Sequence, residues 1–382
     1  MSKKILFVLP SFLPETFGGA EQQTLKINIE LNKKKITTKI LTSSISNKTQ
    51  LKNTISGVKV ERFKLKNYPK LGGKYFFSFL LWSIKIFFWS IQNIKNYDII
   101  YVIHARLHCL PLILISKIFK KKLIIKIGMG GDSLDLKILK QKKLLGNFYY
   151  YFAKNYVDYW IAISSSIYKN LLKINIPKKK IFKIYNGVNI QYKEKKYLPG
   201  IKKFLYCGRF DKEKNIEQII RVFSFLQDRK SFKLTLVGDG TEKKKIKKLI
   251  NFYNLNKQVS IKNKTNNLTK YFIKNHFFIS SSCFEGMSNS LLEASSFGLP
   301  SISSNVSGAP DIINNNVNGF LFSVNNDIEF YDKIMLAIKM NKKKYMEFSN
   351  KILNHVNNNF SFDIILKKQL KMFETLKIFK NF

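Results

Sequence analysis

Short apolar runs rich in β-branched residues alternate with helical patterns along the whole chain. Each run leads into Gly, Ser or Asn and then into a helical pattern, which is typical of parallel sheets with crossover helices. The first series of predicted strands is Ile5–Leu9, Thr37–Leu41, Lys59–Phe63, Ile99–Ile103, Leu123–Ile127 and Tyr159–Ile163. The second series is Phe204–Cys207, Lys233–Val237, Val259–Lys262, Phe277–Ser280 and Ser301–Ser303. Ligands of such sheets bind at the carboxyl ends of the strands, so we expect functional residues there.

The segment NGVNIQYKEKKYLPGIKK, Asn186–Lys203, interrupts this rhythm with polar residues, Gly and Pro. Such a composition indicates a linker, and 382 residues are enough for two ordinary domains. We therefore predict an α/β domain over residues 1–190, a second over residues 191–360, and a cleft between them.

One apolar stretch, Tyr75–Asp98, raises the question of a membrane. Lys85 interrupts it, and Ser78, Lys85 and Gln92 recur every seven residues as a narrow polar seam. A spanning helix needs about 20 apolar residues, so a central charge argues against a transmembrane segment. Two interpretations stay open, a core-packed helix with one wet edge or a helix lying in a bilayer surface.

Composition narrows the class of protein. An apolar fraction of 45% excludes a disordered chain. The formal net charge of +43 attracts phosphates, nucleotides or an anionic bilayer, although a general enrichment in Lys, Asn and Ile is an alternative source of part of it. The charge also motivates a nucleic-acid-binding alternative, but the lysines are dispersed and form no basic arm or known recognition motif.

The cysteines and the N-terminal residues suggest a compartment. Cys109, Cys207 and Cys283 show no paired short spacing, which argues against a disulfide framework or a zinc knuckle and for a reducing environment. The start, MSKKILFVLPSF, resembles a first strand more than a signal peptide. We expect a cytoplasmic protein.

The segment FEGMSNSLLEASSFGLP contains two glutamates, Glu285 and Glu293, around a turn of small residues. Ser288, Asn289 and Ser290 are candidates for a helix N-cap, and Gly298 with Pro300 should end that helix. Ser290 and Glu293 have the spacing of a capping box, which would make the role of Glu293 purely local. The alternative is functional, because free N–H groups at a helix N-terminus suit a diphosphate, which would leave Glu293 for a ribose and Glu285 for the transferred group.

Cations and glycines follow several other predicted strands. Arg209 comes just after a strand and Lys214 five residues later, so both could neutralise a diphosphate at the strand ends. Taken alone, Lys214 is better explained as one of many surface lysines. LTLVGDGTE is a tight turn after a strand, and FGGAEQQ places Gly18 and Gly19 before a helix, as phosphate-approach loops do.

This order of motifs resembles glycosyltransferase family 4, the retaining nucleotide-sugar enzymes of GT-B fold. The resemblance covers nearly the full length, through GGAE, YNGVN, GRFDKEKN, VGDGTEKKKIKKL and EGMSNSLLEASSFGLPSISSNVSGAPDIINNNVNGFLF. It implies two Rossmann-like parallel-sheet domains facing across a cleft. It also implies that FSFDIILKKQLKMFETL, which begins at Phe360, forms a final helix, assigned to residues 361–382, that crosses back to the first domain.

The resemblance assigns roles to particular residues. Arg209 and Lys214 would neutralise the donor diphosphate, Glu293 would hold the ribose and Glu285 the donor sugar. Gly18 and Gly19 would close over the phosphate from the first domain. The remaining donor-side residues are Gly286, Met287, Ser288, Asn289 and Ser290 around the phosphate, and Lys262 and Asn263 beside the base. No convincing D-x-D motif precedes the site, so the two cations and the helix dipole would replace a metal ion, and we expect no cofactor.

The acceptor side departs from the family pattern. Many members carry a histidine after the strand that here reads LIIKIGMGGD, where this chain has Gly128 and Met129. Lys126 and Asp132 are candidates for that side, as is His104 at the end of the preceding strand. A lone histidine at a strand end is more often structural.

The sequence therefore predicts a retaining hexosyltransferase. We expect it to use a nucleoside-diphosphate sugar, with a UDP-hexose or UDP-N-acetylhexosamine favoured, and a glycan or lipid-linked acceptor of surface-polysaccharide (capsule or lipopolysaccharide) assembly. Peripheral contact with the anionic inner face of the membrane would bring such an acceptor within reach. The alternatives are an inverting GT-B transferase, a catalytically silent sugar-binding relative and a basic nucleic-acid-binding protein.

Overall fold

The computed structural model describes residues 3–67, 76–106, 108–130, 136, 146–190, 195–197, 199–265 and 267–376. The chain forms two compact units, one of residues 1–185 with 366–382 and the other of residues 186–365. The sequence analysis placed the divisions at 190/191 and 360/361. Each unit has its own parallel sheet and its own helices.

The first unit contains eight strands and five helices among its described residues before the linker. The strands are β1 Lys4–Val8, β2 Thr37–Ser44, β3 Lys52–Ile55, β4 Val58–Lys64, β5 Ile99–Ile103, β6 Lys122–Ile127, β7 Tyr159–Ala162 and β8 Ile181–Lys183. The helices are α1 Gly19–Lys33, α2 Phe76–Asn93, α3 Cys109–Ile118, α4 Gly146–Tyr156 and α5 Ser165–Lys173. The strand order is β3-β4-β2-β1-β5-β6-β7-β8, so the direction of winding reverses between β1 and β5.

The second unit contains six strands, all parallel, in the order β11-β10-β9-β12-β13-β14. The strands are β9 Lys202–Cys207, β10 Phe232–Val237, β11 Val259–Lys262, β12 Phe277–Ser280, β13 Ser301–Ser304 and β14 Gly319–Phe322. The helices are α6 Ile216–Ser224, α7 Lys243–Phe252, α8 Thr269–Lys274, α9 Asn289–Ser296, α10 Ala309–Ile312, α11 Asp327–Lys339, α12 Lys342–Phe360 and α13 Phe362–Thr375. From Leu366 onwards the residues of α13 belong to the first unit.

Every predicted strand is present, and three strands were missed. β8 and β14 have only three and four residues, and β3 lies antiparallel to β4 at the edge of the first sheet. The turn between β3 and β4 places Ser56 and Gly57 at positive φ, 49° and 80°, as a tight two-residue hairpin requires. At this edge the first sheet departs from the parallel arrangement of its other strands.

The cores follow the apolar strands. In the first unit Phe7 and Tyr101 stack with ring centroids 4.6 Å apart, and the buried Tyr101 hydroxyl donates to Gln369 Oε1 at 3.5 Å. That bond ties the last helix to the first sheet. In the second unit Phe204 and Phe277, on neighbouring strands, stack at 5.7 Å.

The long helix α2 buries one side and exposes another. Phe79, Trp82 and Ile86 are 0–1% exposed. Among the described residues, Phe77–Asn96 is long and apolar enough to cross a membrane by length and composition, and 39% of its most apolar window is buried in the protein. The core-packed interpretation is therefore confirmed for one face of this helix only.

Candidate active site

The donor-side candidates gather where the winding of the second sheet reverses. β9 has β10 on one side and β12 on the other, so the loops after β9 and β12 start side by side. Ser281 Oγ donates to the carbonyls of Lys214 and Asn215 at 3.0 and 2.8 Å, and the Cys283 N–H donates to Glu213 O at 2.9 Å. Ligands of open α/β sheets bind at such a reversal point.

Lys214 and Glu285 form an ion pair at this point. Lys214 Nζ lies 2.7 and 2.6 Å from the two carboxylate oxygens of Glu285, and the two side chains are only 16% and 18% exposed. The residues are 71 positions apart in the sequence and meet because β9 and β12 are neighbours. Lys214 is therefore part of a built site and differs from the solvated surface lysines.

Arg209 is held by its own loop. Its Nη1 lies 2.5 Å from Asp211 Oδ2 and its Nη2 lies 2.9 Å from Glu213 Oε1, while the side chain is 66% exposed. From the sequence, Arg209 and Lys214 were predicted to be two cations that neutralise a diphosphate. In the structure each cation already has a carboxylate partner, so a bound anion has to share or displace these carboxylates.

Burial and the site carboxylates shift the pKa values of two groups at the end of β9, Tyr206 and Cys207. Burial and the nearby Glu285 carboxylate raise the pKa of Tyr206 well above its usual range, so the phenol keeps its proton and donates to Arg209 O at 2.9 Å. Burial raises the pKa of the Cys207 thiol, and the charge of Glu293 raises it further. Glu293 therefore lies within electrostatic range of Cys207, the last residue of β9.

Helix α9 begins two positions earlier than a Ser290–Glu293 capping box requires. Its N-cap is Ser288, whose Oγ accepts from the Leu291 N–H at 3.4 Å. The residue at the box position is thus Leu291, which has no carboxylate, so the local explanation of Glu293 was wrong. The first amides of α9, at Asn289 and Ser290, point out of the helix start. Gly298, at φ +69°, ends the helix as predicted.

The loop before α9 is closely packed. A Cβ on Gly308 would lie 2.7 Å from Gly286 O and 3.1 Å from Met287 Cα. Asn289 Oδ1 accepts from Asn186 Nδ2 at 3.0 Å. This packing fixes the backbone that would face a phosphate.

The loops after β10 and β11 border the same end of the sheet. A Cβ on Gly238, after β10, would lie 1.9 Å from the carbonyl oxygen of Gly208, after β9, so only glycine allows the loops after β9 and β10 to approach this closely. The carbonyl oxygen of Lys262 accepts a hydrogen bond from the Gly238 N–H at 3.1 Å. Asn263 Oδ1 accepts a hydrogen bond from Lys243 Nζ at 3.3 Å. Their assignment beside a base stays a prediction.

Gly18 and Gly19 begin α1 at the carboxyl end of β1 in the first unit. A Cβ on Gly18 would lie 2.5 Å from Glu21 Oε2, and Glu21 Oε1 accepts from Ser11 Oγ at 3.1 Å. The first turn of α1 therefore already contains a carboxylate, which the positive end of the helix dipole favours. The predicted role of the two glycines at a phosphate stays a prediction.

The acceptor-side candidates lie at the ends of β5 and β6. His104 has φ +68°, and its N–H donates to Lys126 O at 2.9 Å. Burial lowers the pKa of Lys126 to about 8. The imidazole of His104 covers Gly128 so closely that a Cβ there would lie 2.2 Å from its Cε1 and 2.3 Å from its Nδ1. Asp132 lies outside the described residues.

The contact between His104 and Gly128 can be tested. We expect Gly128→Ala to displace the imidazole and to lower turnover by about tenfold or more, because a positioned side chain loses its effect once it is misplaced. UDP affinity should change less than twofold. Steady-state kinetics and calorimetry measure the two quantities.

His104→Asn is the matched variant, since Asn tolerates positive φ and removes the ring. It should reproduce the loss seen with Gly128→Ala. If both variants lower the melting temperature and leave turnover unchanged, His104 has a purely structural role.

Sequence reasoning missed several residues that support this site. Ser281 holds the carbonyls of the Lys214 turn, and Asp211 and Glu213 hold Arg209. The alternation Arg209-x-Asp211-x-Glu213 in the sequence could have indicated that Asp211 and Glu213 bind Arg209. Over the described residues, no group of three or more His, Cys, Asp or Glu side chains is placed to bind a metal ion.

Comparison with known proteins identifies the class. The family model described as Glycosyltransferase Family 4 matches residues 17–192. The family model described as Glycosyl transferases group 1 matches residues 190–354. A solved structure of Anabaena Alr3699/HepE in complex with UDP and glucose is similar with a TM-score of 0.76 at 17% identity, covering 98% of this chain and 100% of that one.

Two curated relatives are similar in sequence. One is an uncharacterized 41.2 kDa protein in the cps region of Klebsiella pneumoniae, 26% identical over 277 residues, or 68% of this chain and 67% of the relative. The other is the N-acetylgalactosamine-N,N'-diacetylbacillosaminyl-diphospho-undecaprenol 4-alpha-N-acetylgalactosaminyltransferase of Campylobacter jejuni, 32% identical over 178 residues, or 45% and 48%.

The two α/β units, together with the similar solved structure, have the fold of a GT-B glycosyltransferase. The chain belongs to glycosyltransferase family 4, and its second unit is the group 1 domain. The predicted family, fold and enzyme class are confirmed. The nucleic-acid-binding alternative is not supported.

Proposed function

We propose that this enzyme transfers a sugar, with retention at the anomeric carbon, from a UDP-hexose or UDP-N-acetylhexosamine to a glycan or lipid-linked acceptor of surface-polysaccharide synthesis. The observation that carries the proposal is the Lys214–Glu285 pair at the reversal point of the second sheet. In this proposal Lys214 is the cation for the diphosphate and Glu285 is the carboxylate for the sugar, and the two groups are 2.6–2.7 Å apart.

The relatives support the choice of substrates. The Anabaena protein binds UDP with glucose, and the Campylobacter enzyme acts on a diphospho-undecaprenol acceptor. A cytoplasmic location, peripheral to the inner face of the membrane, is part of the proposal. The three cysteines as free thiols are compatible with a reducing compartment.

The leaving diphosphate would be stabilised by side chains and helix amides without a metal ion. The Lys214 ammonium has three donors and binds the two carboxylate oxygens of Glu285, so a phosphate oxygen can be added to the same ammonium. Arg209 can exchange Asp211 or Glu213 for a phosphate in bidentate geometry. The start of α9 adds its partial positive charge.

The immediate carboxylate partners of Arg209 and Lys214 cancel the positive charge of these two side chains. Arg209 and Lys214 are opposed by Asp211, Glu213 and Glu285, three carboxylates to two cations. Long-range attraction of an anionic donor therefore has to come from the whole chain, with its net charge of +43. Binding should weaken with salt more through the association rate than through dissociation.

Calorimetry with UDP tests the donor site. Arg209→Ala should weaken UDP binding about tenfold, because a bidentate, charge-assisted contact is lost. Arg221→Ala is the matched control, since Arg221 also binds a carboxylate, Asp327, with Nε–Oδ2 at 2.5 Å and Nη2–Oδ1 at 3.0 Å. Equal UDP affinity in Arg209→Ala and the wild type would contradict the diphosphate role.

Two further measurements on the same preparation test the chemistry. EDTA should leave transfer unchanged, and complete loss of activity would show that a metal ion takes part. The anomeric configuration of the product, read by NMR, should match that of the donor. An inverted product would favour the inverting alternative.

A further inference from the structure

Three neighbouring helices on one face of the first sheet each expose apolar side chains. α2, α3 and α4 connect β4 to β5, β5 to β6 and β6 to β7, in one direction along the sheet, and right-handed crossovers place them on the same face. α3 packs against both α2 and α4. The exposed apolar residues on them, here called the apolar helix face, are Phe77, Leu80, Leu81, Ile84, Phe88, Ile91, Leu114, Ile118, Phe148, Tyr151 and Tyr156.

The exposure of these residues is large. Phe77 is 78% exposed, Phe88 61%, Ile118 65% and Tyr151 59%. On α2 the exposed apolar residues recur every three or four positions, which makes a stripe along the whole helix. An apolar surface spread over three neighbouring helices is typical of an interaction site.

The polar residues Ser78, Lys85 and Gln92, which were predicted to form a solvent-facing edge of α2, do not form such an edge. Ser78 is 8% exposed, and Lys85 Nζ turns inward to donate to Lys64 O at 3.2 Å. Of the three seam residues only Gln92 is exposed. The side of α2 that faces outward is therefore mainly apolar.

The charges around the apolar helix face are mainly positive, with Asp98 and Asp158 as acidic residues near the helix ends, where Asp158 pairs with Lys117 at 3.0 Å. α2, α3 and α4 contain Lys85, Lys117 and Lys154 and no Asp or Glu. Just beyond the ends of α2 and α3 come Lys95, Lys120, Lys121 and Lys122, and Lys121 Nζ donates to Lys95 O at 3.3 Å. Lys95, Lys120 and Lys122 are exposed. A basic rim thus joins the C-terminal ends of these two helices.

We propose that the apolar helix face docks this enzyme on the surface of an anionic lipid bilayer. Exposed Phe, Leu and Ile side chains would enter the boundary between headgroups and acyl chains, and the rim lysines would bind anionic headgroups. α2 lies along the surface and does not cross it, because Phe79, Trp82 and Ile86 belong to the protein core.

Charge decides against a second copy of this chain as the occupant. Each copy carries a net charge of +43 and would present the same basic rim to its partner. An anionic bilayer complements both the apolar and the positive parts of the face. The inference rests on the proposed function in one respect, since a membrane-bound enzyme reaches a lipid-linked acceptor.

Flotation of the full chain with vesicles tests the proposal. We expect the protein to float with vesicles containing phosphatidylglycerol and much less with pure phosphatidylcholine. The variant Phe77→Ser/Phe88→Ser should bind the anionic vesicles at least about tenfold more weakly, because two exposed aromatic anchors are removed. Lys95→Gln/Lys120→Gln/Lys122→Gln should lose about fivefold per lysine at low salt.

The matched control lies in the second unit. Phe252 and Ile328 are 75% and 77% exposed, so Phe252→Ser/Ile328→Ser removes a similar exposed apolar area. It should float like the wild type. A dye on Ile84→Cys in a Cys283→Ser background, which leaves the buried Cys109 and Cys207, should shift its emission to the blue on adding anionic vesicles.

Several results would overturn the proposal. Failure of the wild-type protein to float with anionic vesicles in this assay would exclude membrane docking. Equal losses of vesicle binding in Phe77→Ser/Phe88→Ser and in the control variant, or a dye emission that anionic vesicles leave unchanged, would also contradict it. A dimer in sedimentation that dissociates in Phe77→Ser/Phe88→Ser would assign the face to a second copy. UDP calorimetry on the same variants should be unchanged, so failure here and failure of the proposed donor chemistry are separable.

Discussion

Glu285→Gln is expected to lower turnover about a thousandfold while UDP affinity stays the same or rises. The amide keeps the shape of the side chain and an oxygen for Lys214, but it loses the charge that would orient the donor sugar and act on its transition state. Lys214 is then no longer neutralised by its partner and is available to a phosphate. Initial rates with a nucleotide sugar and calorimetry with UDP measure the two effects.

Glu213→Gln is the matched control for this substitution. Glu213 is a carboxylate of the same region that binds Arg209 at 2.9 Å. Its neutralisation should change turnover by no more than a few-fold. If Glu285→Gln behaves like Glu213→Gln, Glu285 takes no part in the reaction.

Lys214→Met is expected to have the opposite effect on binding. Removal of the ammonium should weaken UDP binding by about tenfold or more and lower turnover about a thousandfold, since the leaving diphosphate loses a cation and Glu285 loses its partner. Calorimetry and initial rates measure both quantities. Lys214→Arg keeps the charge and should recover much of the UDP affinity.

The two substitutions together probe one ion pair from both sides. The double variant Glu285→Gln/Lys214→Met should be non-additive, as expected for groups 2.6–2.7 Å apart. Additive effects on turnover, or tighter UDP binding by Lys214→Met, would refute the assignment of Lys214 to the diphosphate.

Much of the architecture was predictable because it is encoded locally. A buried parallel strand is a continuous apolar run, so all eleven predicted strands, from Ile5–Leu9 to Ser301–Ser303, correspond to strands of the structure. β3 was missed because its burial pattern, exposed and half-exposed by turns, gives no apolar run. The stop of α9 at Gly298 followed from the need for positive φ.

The helix start near Glu293 shows the limit of local motifs. Ser290 and Glu293 have capping-box spacing, yet Ser288 is the N-cap. Several small polar residues stand in a row there, and packing of the loop against Gly308 selects among them. No pattern within the segment contains that information.

The sequence by itself determined the parallel strands, the polar and glycine-containing loops that follow them and the family resemblance, because each depends on residues close together in the chain. Only the tertiary structure decided which of those side chains meet. Lys214 reaches Glu285 because β9 and β12 are neighbours, and His104 covers Gly128 because β5 and β6 are. The same holds for the apolar helix face, since periodicity shows that a helix has an apolar side, and only packing against the sheet and adjacent helices shows which apolar residues stay exposed.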